Sequence, residues 1–350
     1  MKTVKKIVSL LMALIVLMFS TSILSSCNVK MNETDVMASR HYVISNGMCV
    51  FLFYENAAYW LSQYSEDDVD KMGFVYGTPM KEQKYNDSKS WFDFFYEYNI
   101  SQMKNLLALC EYANECGVKF EDSDEVILSK KTDAFNSMVL VSGAASVEAY
   151  LNDLYKGFTT AEDVEEVYRL QLFASKNSEN LTAEINAQIT DEQINAEIEA
   201  QGSDRNTALS KNIAYFILDY DNYDETEVVP TAEAIISDFN TSGNLTYDSF
   251  KSAAETYSAY DFVDDKNICP GDLYSEVDTW LFEQAVVSDI KYFETENGVQ
   301  VVYYYSDGEQ VYIVKAENAA YEKQLIVWQS QAIDETEFRI NDNFYNEFNP

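Results

Sequence analysis

The sequence predicts an α+β protein with two domains: a helical N-terminal domain and a smaller domain that combines helices with a β-sheet. Between residues 91 and 201, successive segments show helical periodicity or begin with helix-capping sequences. Between residues 212 and 305, apolar runs rich in aromatic and branched residues alternate with amphipathic stretches. The 350 residues suffice for two domains.

The composition is strongly acidic and rich in aromatic residues. The formal net charge is −35, and 14% of the residues are aromatic, including 26 tyrosines. Such a surface repels nucleic acid and anionic lipid headgroups, while the aromatic content indicates a folded chain. The charge suits basic or unfolded protein partners, although a solvated acidic surface would need no partner to explain it.

Residues 1–26 have the pattern of an export signal. Lys2, Lys5 and Lys6 precede an apolar run that is too short for a stable membrane span. The run leads to Leu24-Ser25-Ser26-Cys27, which is similar to a bacterial lipobox. That resemblance implies lipid attachment at Cys27 and a mature chain on the outer face of the bacterial cytoplasmic membrane, tethered by residues 27–40. The alternative is an ordinary secretory signal with a chance cysteine.

The helical domain is predicted over residues 41–205. Two apolar runs flank Asn46-Gly47, a dipeptide typical of hairpin turns, and a helix is predicted from Tyr54 to Tyr64. A second helix runs from Trp91 to Glu115 and ends before Gly117, a typical C′ residue. Further helices are predicted over residues 124–142 and 147–156. Capping boxes at residues 159–162 and 190–193 begin two more.

Metal and thiol chemistry have weak support in the sequence. His41, the single histidine, is predicted to be a surface residue. Four cysteines follow Cys27: Cys49, Cys110, Cys116 and Cys269. They contain no Cys-x-x-Cys pair, which argues against a zinc site. Buried free thiols are expected, and the disulfide state of these cysteines stays open. The acidic segment 219–224 lacks the ligand and glycine positions of a calcium loop. No metal or cofactor is therefore expected.

The second domain is predicted over residues 206–315. An apolar strand at residues 213–220 precedes helices at about 231–240 and 246–258, with Thr246 as a cap. A turn at residues 268–273, a short helix at 279–285 and a hairpin at 292–305 follow.

This succession resembles a parvulin-type (PpiC-like) prolyl isomerase domain. Five short matches support the resemblance in order. The first is the apolar strand at residues 213–220, where the family carries Arg-His-Ile-Leu, and the others are Tyr257-Ser258, Pro270-Gly271-Asp272-Leu273, Phe282-Glu283-Gln284-Ala285, and Gly298-Val299-Gln300. It implies a site in which Tyr215 and Gln300 replace the two histidines of the family. The family's acid or thiol falls on Tyr260, one step from Asp261. The resemblance therefore implies a degenerate catalyst that retains a peptide groove.

The groove is predicted from aromatic residues near these positions. Tyr215, Trp280, Phe282 and Gln300 are predicted to bind peptide. Phe216 and Phe250 could line the same groove, but core packing is favoured for both. Tyr303, Tyr304 and Tyr305 alternate across a strand, so at most one face is expected to be core.

The N-terminal region resembles the SurA and PrsA foldases, which begin with a small strand pair and continue through several helices. A Thr-Asp-Glu-Gln-Ile motif at residues 190–194 precedes the first parvulin-like strand, as in that family. Residues 316–350 contain a C-terminal helix whose apolar stripe includes Tyr321, Leu325, Trp328 and Ala332. The stripe could pack on the N-terminal helices, as the resemblance implies, or on the parvulin-like domain.

Together these resemblances imply a lipid-anchored extracytoplasmic foldase or holdase. Its partners would be unfolded or proline-containing secreted polypeptides, with weak or absent isomerase activity. The alternative is a non-catalytic surface lipoprotein that uses the same scaffold to bind one fixed partner.

Overall fold

The computed structural model describes residues 29–203, 205–220, 223–257, 262–295 and 298–348. It divides into two compact units. The first comprises the described residues up to Ile185 together with those from Leu325 onward, and the second comprises Asn186–Gln324. The structure mixes helices with two small antiparallel sheets, which confirms the predicted α+β class.

The first unit is mainly helical. Its helices are α1 (Asn46–Ser62), α2 (Glu66–Lys71), α3 (Trp91–Glu115), α4 (Asp122–Val141), α5 (Val147–Leu154) and α6 (Ala161–Ser175), and α7 (Ser178–Gln188) reaches the second unit. A short 3-10 turn spans Met80–Glu82. Helices α1, α3 and α6 pack against one another around an aromatic-rich core. This packing places most of the large apolar side chains of the N-terminal region out of water.

The N-terminal hairpin lies earlier in the chain than predicted. Strand β1 (Asp35–Ala38) pairs with β2 (Val43–Ser45), whereas Asn46-Gly47 begins helix α1. The hairpin turn predicted at Asn46-Gly47 was therefore wrong. Strand β1 is buried along its whole length, so the predicted tether over residues 27–40 needs correction at its C-terminal end.

Capping and close packing explain the helix at Asn46-Gly47. The Ser45 hydroxyl accepts a hydrogen bond from the Met48 N–H at 3.1 Å, which satisfies a donor of the first helical turn. Thr159 donates to the Gly47 carbonyl at 2.9 Å. A Cβ at Gly47 would lie 2.2 Å from Asp163 Oδ2 and 2.7 Å from the Phe158 carbonyl. Glycine is therefore required for close packing rather than for a turn.

Two other helix ends test the predicted signals. Gly117 has φ +76°, and the Val118 N–H donates to the Ala113 carbonyl, which confirms the predicted stop of the second helix. The first capping box lies one residue later than predicted: Thr160 and Asp163 bond reciprocally. Thr159 is buried, and its hydroxyl donates to the Gly47 carbonyl instead.

The C-terminal tail completes the first unit. Strand β7 (Arg339–Ile340) pairs with β1, which gives the sheet order β2-β1-β7. A final turn of helix, α13 (Phe344–Glu347), follows. Phe344 and Phe348 are 1% and 0% exposed and belong to the same core as α1 and α3. The first unit is thus built from both ends of the described chain.

The second unit contains a four-stranded antiparallel sheet. Its strands are β3 (Leu209–Asp219), β4 (Val263–Ile268), β5 (Ile290–Thr295) and β6 (Gly298–Gln310), in the order β4-β3-β6-β5. Its helices are α8 (Asp191–Ala200), α9 (Glu225–Ser242), α10 (Tyr247–Tyr257), α11 (Ser275–Thr279) with a π-helical turn Trp280–Gln284, and the first half of α12 (Val311–Glu335). The predicted strand, helices and hairpin are present, and β4 was not foreseen.

Apolar side chains are buried on both faces of this sheet. Helices α9 and α10 cover one face, where Phe216 lies 5.1 Å from Phe250 between ring centroids. The segment from α11 to the π-helical turn covers part of the other. Tyr303 and Tyr304 point to opposite faces and are 4% and 1% exposed. The expectation that at most one face of this tyrosine run is core was therefore wrong.

Helix α12 continues from the second unit into the first. Trp328, 7% exposed, makes an edge contact with Tyr112 of α3 at 5.0 Å between ring centroids. This part of the apolar stripe packs on the N-terminal helices, the first of the two predicted alternatives. Among the described residues, no helix combines the length and apolar character needed to cross a membrane.

The four cysteines in the described part of the chain carry free thiols, but not all are buried as predicted. Cys49, Cys110 and Cys269 are buried, whereas Cys116 is exposed at the end of α3. Burial raises the pKa of Cys49 and Cys110 to about 12 each. These two thiols are therefore poor nucleophiles in the folded protein.

His41 lies at the surface, as predicted, and is joined to Glu111 of α3. The buried Glu111 carboxylate accepts hydrogen bonds from the Ser39 hydroxyl at 2.6 Å and from the His41 N–H at 2.8 Å. His41 Nδ1 lies 2.6 Å from its other oxygen. This cluster holds the connection between β1 and β2 onto α3, which is a structural role.

Candidate functional site

The candidate site lies on the sheet face of the second unit opposite α9 and α10, which we call the Tyr215 face. It is defined by alternate residues of β3 and β6: Tyr215, Ile217, Gln300 and Val302. Tyr215 is directly opposite Val302, and Ile217 is opposite Gln300. Side chains in this register are neighbours, so the structure brings Tyr215 and Gln300 into diagonal positions on one face. Both are only partly buried.

Tyr215 presents a phenol that stays protonated at neutral pH. Partial burial raises its pKa, and the neighbouring Asp265 and Tyr274 raise it further. Its hydroxyl makes no hydrogen bond within the part of the chain that the structure describes. A protonated phenol in this state can donate to a carbonyl oxygen of a bound peptide.

Asp265 is a site residue that the sequence analysis missed. It lies on β4 opposite Ile213, so its side chain belongs to the Tyr215 face. Burial, and next the neighbouring Asp264, raises the pKa of this carboxyl. The segment Val263-Asp-Asp-Lys-Asn-Ile268 lacks apolar alternation, which is why no strand was predicted there. Its charged residues are typical of an edge strand, and this pattern could have predicted β4.

Gln300 supplies an amide at the centre of the sheet. It lies on β6 between Ile217 of β3 and Phe293 of β5. Its amide forms no hydrogen bond with another described residue. An amide has both donors and an acceptor, so Gln300 can pair with either polar group of a peptide unit.

The predicted aromatic residues divide between core and surface. Trp280 is 6% exposed and packs on Phe293 at 5.5 Å between ring centroids, so its predicted role in peptide binding needs correction. Phe282 is partly buried beside the same cluster and keeps an accessible surface. Phe216 and Phe250 are fully buried, which confirms that they belong to the core.

Three predicted site residues lie outside the described residues. They are Tyr260, Asp261 and the lipid attachment residue Cys27. Within the described ranges, no group of three or more His, Cys, Asp or Glu side chains is arranged to hold a metal ion.

The chemistry available on the Tyr215 face is hydrogen bonding and apolar contact. The face offers a phenol, a carboxyl and an amide beside Ile217 and Val302. The second unit contains no histidine, because the single histidine of the sequence, His41, belongs to the first unit. In addition, β4 is at an edge of the sheet, with only β3 paired to it among the described strands. The arrangement suits an extended peptide.

Comparison with models of known protein families found no match, and comparison with curated proteins also found none. Several solved structures are similar. The crystal structure of PrsA from Bacillus subtilis has 10% sequence identity and a TM-score of 0.34, covering 75% of this chain and 96% of that one. Foldase protein PrsA from Streptococcus pneumoniae has 14% identity and a TM-score of 0.27, with coverage of 75% and 96%.

A structure from a study of SurA-like chaperones of Campylobacter jejuni is also similar. It has 12% identity and a TM-score of 0.22, and the match covers 80% of this chain and 95% of that one. TM-scores at this level do not indicate what this chain binds. The structural neighbours of this chain are nevertheless PrsA and SurA-like foldases.

Proposed function

We propose that this protein is an extracytoplasmic foldase or holdase that binds unfolded polypeptide segments on the Tyr215 face. One observation carries the proposal: Tyr215 and Gln300 lie together, partly exposed, on one sheet face, and neither side chain makes a hydrogen bond to another described residue. Polar groups of this kind, beside apolar side chains, bind peptide without requiring a fixed sequence.

An extended segment would lie along β4 and across the Tyr215 face. The edge of β4 that pairs with no other described strand offers backbone hydrogen bonds, which recognise any peptide in an extended conformation. Tyr215 would donate to a peptide carbonyl, and ionised Asp265 would accept from a peptide N–H. Ile217 and Phe282 would contact apolar side chains of the segment. Binding of this type protects an unfolded chain from aggregation.

Prolyl isomerisation is proposed to be weak or absent. The barrier to rotation about an X-Pro bond is roughly 20 kcal/mol, and a catalyst must stabilise the twisted bond more than the planar one. Tyr215 and Gln300 occupy the positions where the parvulin resemblance implies histidines. A phenol and an amide can hold the peptide, which favours binding over turnover.

The proposed location is the outer face of the cytoplasmic membrane, with a lipid on Cys27. The basic, apolar and Leu-Ser-Ser-Cys parts of residues 1–27 support this. A lipid with two acyl chains gives stable membrane attachment, whereas a single chain gives only weak, reversible binding. Cys27→Ser is expected to move the protein from the membrane fraction to the soluble fraction of the bacterium. Unchanged fractionation would contradict lipid anchoring at this residue.

The function is tested with the protein lacking residues 1–27. Its ability to suppress aggregation of a chemically unfolded client is measured beside isomerisation of a short X-Pro peptide. Tyr215→Ala is compared with Tyr257→Ala, which removes another exposed tyrosine of the same unit. We expect aggregation suppression that Tyr215→Ala weakens and Tyr257→Ala leaves unchanged, with little or no isomerisation.

Other outcomes would change the proposal in defined ways. Strong isomerisation that falls with Tyr215→Ala or Gln300→Ala would make this face an active site. Suppression that is equally strong in Tyr215→Ala would place client binding elsewhere. Absence of both activities would leave a module that binds one fixed partner.

A further inference from the structure

A cavity of about 630 Å³ lies in the first unit, between the first turns of α3 and the C-terminal tail. Its walls combine two tyrosine rings, Tyr96 and Tyr345, with carboxylates and the side chains of Ile100 and Ile340. All its lining residues belong to the first unit, whereas the Tyr215 face belongs to the second. Its volume is in the range of small-ligand sites.

Negative charge dominates this cavity. Asp93, Glu97 and Asp342 line it, and Lys89 is the one basic residue among the lining residues. Lys89 is bound to Glu97, with Nζ 2.5 Å from Oε2. The Asp342 carboxylate makes no hydrogen bond or ion pair with any residue in the described ranges. The cavity therefore carries an excess of two negative charges, one of them without a partner.

The carboxylate deepest in this group is held ionised by its neighbours. Burial opposes the ionisation of Asp93, but hydrogen bonds from Tyr345 and from the Ser90 hydroxyl and N–H outweigh it and keep its pKa below the usual range. The bond from Tyr345 also fixes that ring in position. Its ring centroid lies 5.0 Å from that of Tyr96, at an interplanar angle of 76°. Two aromatic walls are thus held beside a carboxylate whose ionised form its neighbours stabilise.

Two lysines of the chain itself already contact an aromatic ring or a carboxylate at or beside the cavity. Lys81 Nζ lies 4.4 Å from the centroid of Phe92 and 6.0 Å from that of Tyr345. Lys89 provides the second case through its contact with Glu97. An aromatic ring and a carboxylate together bind a cation more strongly than either alone, and the aliphatic stem of the cation can lie on apolar side chains.

We propose that this cavity binds the arginine or lysine side chain of an extended polypeptide. The cationic head would lie between Asp342 and the Tyr345 ring, and the stem would contact Ile100 and Ile340. Because the ligand is a polypeptide, this inference rests on the proposed function. It adds a preference for basic segments and a second binding position in the first unit.

The test uses the protein lacking residues 1–27 and two fluorescent, unstructured decapeptides. They are identical except that one contains arginine where the other contains citrulline, which has nearly the same shape without the charge. Fluorescence anisotropy gives both affinities for the wild type and for the variant Glu97→Gln/Asp342→Asn. The control Asp133→Asn/Glu179→Gln makes the same charge change at exposed positions of the same unit.

We expect the wild type to bind the arginine peptide about tenfold more tightly than the citrulline peptide. Glu97→Gln/Asp342→Asn should abolish that preference without changing citrulline-peptide affinity, and the control should retain it. Equal weakening by both double variants would overturn the inference, because the acidic surface as a whole would then attract the peptide.

The remaining outcomes separate this inference from the proposed function. Equal affinity of the wild type for the two peptides would overturn the cavity as a cation site. The proposed function would still stand if Tyr215→Ala weakened citrulline-peptide binding and aggregation suppression. If neither peptide bound and aggregation was not suppressed, both proposals would fail.

Discussion

Phe348, near the C-terminus, is expected to be essential for the stability of the first unit. Its side chain is 0% exposed, and its ring centroid lies 5.0 Å from that of Phe53 in α1. It also contacts Phe92 at 5.7 Å and stacks on Phe344 at 5.6 Å. Phe348→Ala would remove a ring that joins α1, α3 and the tail.

The expected loss is large because the surrounding groups belong to three different elements. Truncation of a buried phenylalanine to alanine costs about 3–5 kcal/mol, from lost burial and from the cavity left behind. Each favourable aromatic pair adds about 0.5–1.5 kcal/mol beyond burial. The Phe348 carbonyl can still accept its hydrogen bond from Lys81 at 2.5 Å, since the backbone is unchanged. We therefore expect a loss within the 3–5 kcal/mol range.

Hydrogen exchange measured by mass spectrometry would check this value. Peptides from α1 report the opening free energy of the first unit, provided that exchange is limited by the opening equilibrium. Glu347→Ala, which truncates the exposed neighbour in α13, is the matched control. A loss of less than about 1 kcal/mol for Phe348→Ala, or a loss equal to that of Glu347→Ala, would refute the view that the tail is part of this core.

Three further predictions follow from individual environments. Gly298→Ala should cost more than about 3 kcal/mol, because φ is +149° and the new Cβ would lie 2.2 Å from the Leu218 carbonyl. Gly271→Ala, at φ +95° with open space, should cost only about 1–2 kcal/mol, and equal urea midpoints for the two would contradict this. Asp265→Asn should stabilise the protein at pH 7, because burial and then Asp264 raise the pKa of Asp265 and make its ionisation unfavourable in the folded state. That advantage should disappear as the pH falls through the raised pKa towards the usual 3.8, and urea midpoints that do not differ at pH 7 would count against it. In the protein lacking residues 1–27, a maleimide should label Cys116 in the native state, with Cys49, Cys110 and Cys269 reacting only after unfolding. Mass spectrometry identifies the labelled residues, and rapid native labelling of Cys49 would show that its burial is wrong.

Local sequence signals predicted several elements correctly because their causes lie within a few residues. The stop at Gly117 depends on a glycine that adopts a positive φ and on the next residue, Val118. The Thr190 cap depends on Gln193, three positions later. The strand was visible because residues 213–218 are continuously apolar, with Phe216 in the core on one face and Ile213 in the core on the other.

The candidate site was only partly predictable. The parvulin resemblance named Tyr215 and Gln300, and the structure places them on one sheet face. Asp265 was missed because an edge strand rich in charges has no apolar alternation. Trp280 was placed on the surface in error, because nothing local shows that Phe293 would cover it.

The sequence by itself determined the α+β class and most helices, since propensity, periodicity and capping act between neighbours in the chain. Only the tertiary structure decided which of these elements bury which side chains. Asn46-Gly47 begins a helix because Ser45 caps it and Asp163 packs against it from 116 positions away along the sequence. Burial depends on distant partners of this kind, and a local pattern contains no information about them.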